Sequence, residues 1–172
     1  GTKDKWVLFI KGSGVSALEA NKRWKSVMHY YIKWDSEAIK HYNMAGKEFF
    51  WRKGIYWSLA TESKEKGFLI NPDSRLKFAL KEEGPNDVNF KAAAIEDQTY
   101  IFYLLGILNT KLIFSIKFNF INSSTANQQC DIDLIPIKIP NESDLKFIEE
   151  RVKLCINIQE NNLSKLKYQS KE

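Results

Sequence analysis

The sequence predicts a mixed α/β domain (α+β, mixed): a small twisted mixed β-sheet, a buried central helix and a long C-terminal amphipathic helix. Three observations carry that prediction. Thr99 to Asn119 is almost continuously apolar, with Lys111 and Lys117 its only charges; Leu104, Ile107, Leu108, Leu112 and Ile116 keep helical spacing, and Asp97 is placed to cap it. Ahead of it lie short β-branched and aromatic runs separated by Gly, Asn and Pro. Behind it, Glu142 to about Tyr168 repeats Leu145, Ile148, Val152, Cys155, Leu163 and Leu166 at heptad-like spacing.

Taken in order, Trp6 to Ile10 reads as a buried strand, followed by Lys11-Gly-Ser-Gly14. Val15 to Ser26 is a short helix or a long loop. His29 to Trp34 is strand-like. Ser36 to Ala45 reads as a short amphipathic helix, with Asp35 or Ser36 as its cap and Gly46 as its stop. The aromatic run Glu48 to Leu59, interrupted by Arg52, Lys53 and Gly54, forms two strands or one bent strand, and half its aromatics belong in the core, Trp57 among them. Phe68 to Ile70 ends at the Asn71-Pro72 turn, Lys81 to Asn89 is loop, and Phe90 to Ile95 is a strand leading into the central helix. About 20 apolar residues can cross a bilayer. Here Asn109, Thr110, Lys111, Ser115 and Lys117 are spaced through the middle, which favours a buried core helix. The polar run Asn122 to Gln129 then leads to Asp131 and Asp133, which look like a cap and turn before Pro136. Residues 1–140 are expected to form the domain, and 141–172 a helix that packs on it or on a partner.

At 172 residues with 44% apolar and 27% charged content, the chain suits one domain with a real core. It shows no initiator Met, signal peptide or targeting tail, and its start at Gly1-Thr2 suggests a piece of something larger. Two cysteines, Cys130 and Cys155, suggest a reducing cytoplasm rather than a disulfide scaffold. Charge is uneven: residues 1–80 hold 15 basic and 8 acidic residues, a balance of +7, and residues 81–172 hold 11 and 13, a balance of −2. A basic half beside a near-neutral one suits phosphate contacts.

Several catalytic readings are weak. Gly12-Ser-Gly14-Val-Ser-Ala17 formally satisfies the G-x-G-x-x-G/A fingerprint, with Asp35 where a ribose-binding acid would sit. No regular βαβ units follow, and Asn21, Lys22 and Arg23 stand where sheet-packing apolar residues belong, so a basic glycine-rich surface loop is preferred. Asp35 with Glu62 and Lys64 has tolerable spacing for a metal nuclease, but such triples are common in a charged chain. His29 and His41 lack partners at metal-ligand spacing. No G-x-S-x-G or comparable nucleophile setting occurs.

The strongest positive signal is the aromatic and basic block Trp51-Arg-Lys-Gly-Ile-Tyr-Trp-Ser58, because Arg and Lys hold phosphates or read guanine edges. With Phe49, Phe50 and the later Lys66-Gly-Phe-Leu-Ile70, it resembles the "aromatic, basic-Gly-Ile-x-Trp-Ser … Gly-Phe-Ile-Phe" block of a known family. "LLGILNTKL", the polar loop and "DIDLIPIKIP" resemble the same family: the C-terminal target-recognition (specificity) region of TaqI-like, type IIG and PglX (BREX) adenine-specific DNA methyltransferases. The likeness covers about residues 30 to 140. It implies a DNA reader from a restriction-modification or phage-defence enzyme that methylates adenine N6 with S-adenosylmethionine. The Asn/Asp-Pro-Pro-aromatic loop of that chemistry is missing, since Asn71-Pro-Asp-Ser74 is the only approach to it. Catalytic residues and the S-adenosylmethionine site are therefore expected in the parent's methyltransferase domain, and no catalytic residue, metal or cofactor is expected in this fragment. The implied partners are double-stranded DNA and that domain, with no membrane. The candidate DNA contacts are Lys11, Arg23, Lys25, Arg52, Lys53, Tyr56, Ser58, Lys64, Lys66, Arg75, Asn127 and Gln128. Two other readings stay open: a nucleotide- or S-adenosylmethionine-binding enzyme fragment using Gly12 to Ala17, and a protein-interaction module working through the C-terminal helix.

Overall fold

The computed structural model describes residues 5–9, 30–58, 78–85, 90–124 and 126–169. Among the described residues, five strands form two sheets. β1 (Trp6–Phe9) pairs antiparallel with β2 (Tyr30–Lys33), and β3 (Gly54–Ser58) lies between β4 (Phe78–Lys81) and β5 (Phe90–Ala94), antiparallel to both. The mixed α/β class is as expected. The pairings differ from the mixed sheet expected: every one among the described residues is antiparallel.

Strand alternation gives the larger sheet two buried faces. Ile55, Trp57 and Phe78 face the helices and join the main core, while Tyr56 and Ala79 face the other way with Ala92 beside them. The helices are α1 (Ile101–Leu108), α2 (Lys111–Ile116), α3 (Gln129–Asp133) and α4 (Glu142–Gln169), with a single π turn at Lys117–Ile121. Asp97 caps the run as expected, its Oδ1 accepting from the Thr99 amide at 3.0 Å.

The expected unbroken central helix is corrected to two. Asn and Thr side chains compete for backbone groups and favour helix ends over helix interiors. Asn109 leaves the helical path to pair with both backbone groups of Phe78, accepting from its N–H (3.1 Å) and donating to its carbonyl (2.9 Å). Thr110 then caps α2, its hydroxyl accepting from the Ile113 amide at 3.3 Å. The segments Gln98–Leu108 and Lys111–Ile121 consequently meet at a 67° bend. No single described helix is long and apolar enough to cross a membrane, although that bent pair passes by combined length and composition. Its residues Ile101, Leu105, Leu108 and Ile113 lie in the protein core. Asn109→Ala should cost about 2 kcal/mol, because it strands two backbone groups of Phe78; urea unfolding measures it.

α4 packs on α1, burying Val152 and Ile156. The approach is close. A β-carbon at Gly106 would come within 2.8 Å of Ile148 Cγ2 and 2.9 Å of Val152 Cγ2. Both neighbours are β-branched and stiff on a helix, so glycine is what lets the helices meet.

The expected helix over 36–45 is one 3₁₀ turn, Ala38–His41. Asp35 does cap it, accepting from the amides of Glu37 (3.0 Å) and Ala38 (2.8 Å). The chain is then turned back where Tyr42 stacks on Trp34 (5.9 Å between centroids) and donates its hydroxyl to the Lys33 carbonyl at 2.9 Å. Gly46, expected as a helix stop, instead takes a left-handed conformation and opens a second 3₁₀ turn, Lys47–Phe49. The aromatic run therefore gives one strand, β3, preceded by turns.

Candidate nucleic-acid interface

The turns before β3 bring cationic and aromatic side chains together at the surface. Trp34 is their hub: it stacks on Tyr42, meets Phe50 edge-on at 6.2 Å and Trp51 at 5.6 Å with the rings perpendicular. Phe50 is buried, whereas Phe49 and Trp51 stay 45% and 44% exposed, too much for core anchors. Each carries a cation. Arg52 Cζ lies 5.6 Å from the Phe49 ring centroid, and Lys5 Nζ 5.6 Å from that of Trp51. Such pairs are worth about 0.5–1 kcal/mol at exposed sites, enough to bias a side chain's direction but not to lock it. Arg52 and Lys53 are exposed, and among the described residues neither forms an ion pair with a carboxylate.

What holds this turn is a buried lysine. Lys81, at the end of β4, is 2% exposed, and its ammonium donates to the carbonyls of Phe50 (2.9 Å), Arg52 (3.0 Å), Gly84 (3.1 Å) and Glu82 (3.2 Å). The Phe50 carbonyl also accepts from the Gly84 amide at 2.7 Å. Loss of water around the charge pulls its pKa down to about 8, against the raising influence of Glu83 and Glu82. Lys81 was expected to begin a loop; it is a strand residue that gathers two turns around one ammonium.

The polar run after α2 is organised the same way. Lys117, 2% exposed, donates to the carbonyls of Ser124 and Ala126, each at 2.9 Å. Burial lowers its pKa, with Asp131 acting in the opposite direction. Asp131, which is buried, accepts at Oδ2 from the Gln128 amide and the Asn122 side chain, both at 3.0 Å. The indole N–H of Trp57 donates to the Asn127 carbonyl at 3.1 Å and ties this loop to the sheet. Trp57 is thus structural, as predicted.

The candidate contacts divide accordingly. Arg52 and Lys53 lie together on the exposed turn. Gln128 is exposed on the other loop. Two residues are corrected: Tyr56 (4% exposed) and Asn127 (1% exposed) are inside the protein, because strand alternation turns Tyr56 onto the covered sheet face and the Lys117 and Trp57 bonds draw the 122–128 loop inward. Ser58 ends β3, its side chain outside the description, and Lys11, Arg23, Lys25, Lys64, Lys66 and Arg75 lie outside the described residues. Sequence reasoning passed over Lys5, and Lys81 and Lys117 as pins. Lys117 carried a signal, standing four residues after Ile113 on the buried side of the helix.

The rival sites gain little. Gly12 to Ala17 lies outside the described residues, but a βαβ fingerprint needs parallel strands, and β1 and β2 run antiparallel. Asp35 is occupied as a cap: the Ala38 amide, then Lys33 at 3.0 Å, hold its carboxyl below the usual range. Glu62 and Lys64, the other members of the nuclease triple, are outside the description, as is His29. Among the described residues no group of three or more His, Cys, Asp or Glu could hold a metal. No protein-family model matches this chain, and a search of curated proteins finds no significant relative.

Proposed function

We propose that this chain is a DNA target-recognition domain, the reader of an adenine-N6 methyltransferase of bacterial restriction-modification or phage defence. It would lay duplex DNA along the turn that carries Arg52 and Lys53 and position it for a catalytic domain that binds S-adenosylmethionine. The observation that carries this reading is that, among the described residues, no carboxylate pairs with these cations, which stand on a turn fixed from below by Lys81, beside exposed Phe49 and Trp51. Free cations on a rigid support bind phosphate without first giving up a partner. The described stretches that resemble the family also build one unit. Trp57 of the first binds the polar loop, Asn109 of "LLGILNTKL" binds β4, and the Tyr103 hydroxyl donates to the Lys138 carbonyl of "DIDLIPIKIP" at 2.7 Å. Both cysteines are free, in keeping with a reducing cytoplasm.

Fluorescence anisotropy on labelled duplexes tests the reading. Arg52→Ala should cost about 1–3 kcal/mol if the guanidinium reads a base edge, and Lys53→Ala should weaken all sequences alike and reduce the salt slope by about one. Both positions are exposed, so urea midpoints should stay within about 0.5 kcal/mol of the parent. Unchanged affinity in both variants would move the DNA face elsewhere on the molecule.

A further inference from the structure

α4 buries one face and leaves another apolar line uncovered. Phe147, Leu154 and Ile158 are 57%, 49% and 51% exposed, while Val152, Ile156 and Gln159 on the same helix are buried. At about 100° per residue, the three exposed positions fall within about 40° of one another around the helix axis, well away from the face packed on α1. Arg151 lies on the same side, its guanidinium 5.1 Å from the Phe147 ring centroid.

The charges along α4 say what covers the line. Its first third, residues 142–150, holds Glu142, Asp144, Glu149 and Glu150 against Lys146, while residues 161–169 hold Lys165 and Lys167 and no acid. The helix is acidic at one end and basic at the other, so two copies laid parallel would set like charges against like. Laid antiparallel, each acidic end meets a basic end. A two-fold axis between positions 154 and 158 sets Leu154 of one copy opposite Ile158 of the other, twice, and sets position 165 opposite 147. One apolar layer and two complementary charge zones then coincide in a single register, which is the self-complementarity a two-fold interface requires. Charges flanking an apolar seam select orientation in this way.

We propose that α4 is a dimerisation helix that pairs antiparallel with α4 of a second copy of this chain through Phe147, Leu154 and Ile158. In the DNA-reading role the dimer would present two recognition surfaces related by a dyad, but the pairing stands independently of that role.

Sedimentation velocity on the full chain over a concentration series tests it. The chain should form dimers, and Leu154→Glu with Ile158→Glu should weaken association at least tenfold with the circular dichroism spectrum unchanged. Charge pairing between the helix ends has its own test. Lys165→Glu/Lys167→Glu makes both ends acidic, and Glu142→Lys/Asp144→Lys/Glu150→Lys makes both ends basic. Each variant alone should be monomeric, and their equimolar mixture should form a one-to-one heterodimer. A chain monomeric at every concentration overturns the proposal, as does a dimer indifferent to Leu154→Glu/Ile158→Glu. A mixture that stays monomeric overturns the pairing of charged ends on which the antiparallel register rests.

Discussion

Gly54→Ala should lower the stability of this domain by about 4 kcal/mol, close to the whole margin of a small domain. Gly54 opens the central strand, opposite Lys81 on one side and Ala94 on the other. A β-carbon built there falls well inside the van der Waals shell of the Ala93 carbonyl oxygen and reaches 3.0 Å from Ala94 Cα, and both belong to backbone rather than to a side chain that could swing away. Relief would require β3 and β5 to part, yet the Ile95 amide bonds the Lys53 carbonyl at 3.2 Å beside the clash. Moving β3 the other way drives it into β4. Overpacking of this kind usually costs about 1–3 kcal/mol, and the value here is higher because ladder bonds must also break. Urea unfolding followed by tryptophan fluorescence gives the number. A loss below about 1 kcal/mol would mean that the strands part easily, and with that the rigid support assigned to Arg52 and Lys53 would go. The same variant should lose DNA affinity even under conditions where it remains folded.

The sequence made the long-period features legible and hid the local ones. α4 follows from a pattern repeated over many residues, and β5, the Asp97 cap and the burial of Trp57 from residue types whose usual places the fold respects. The break at Asn109 was readable in principle, since Asn-Thr is a capping pair, but it was outweighed by the apolar run around it. The 36–45 segment had a cap and helical spacing but was diverted by one ring stack, Trp34 on Tyr42, between residues whose meeting depends on tertiary contact. At the candidate site, exposed Arg52 and Lys53 follow from residue type and turn position, whereas the interior places of Asn127, Lys81 and Lys117 do not. Lysine and asparagine are rarely buried, and are so only where carbonyls or other partners from distant loops converge on them. No spacing rule encodes that convergence.

Lys81→Met should cost about 3 kcal/mol at neutral pH and weaken DNA binding together with stability. Methionine matches the length and fills the space, but it offers no donor to the carbonyls of Phe50, Arg52, Glu82 and Gly84. The Phe50 carbonyl keeps the Gly84 amide, and each of the other three costs roughly 1–2 kcal/mol to strand, partly offset because burying a thioether is easier than burying an ammonium. The pH dependence separates this role from simple packing. The pKa of Lys81 is about 8 in the folded chain, against 10.5 for an ordinary lysine in water. Below pH 8 both the folded and the unfolded chain carry the proton, and the ammonium's desolvation weighs on the fold in full. Between about 8 and 10.5 the folded chain releases a proton that the unfolded chain still holds, so this residue's contribution rises with pH, by about 3 kcal/mol across the window. Subtracting Lys81→Met from the parent cancels the other groups that titrate there. Urea midpoints at several pH values should therefore show the parent gaining on the variant as pH rises. Parallel curves would mean that the four carbonyls fully compensate the lost water and that Lys81 keeps an ordinary pKa. The neutral amine has two donors for four carbonyls, so the same deprotonation should also slacken the turn that carries Arg52. Amide exchange at residues 50–53 should then quicken above pH 8, after correction for the intrinsic rate, even as global stability increases.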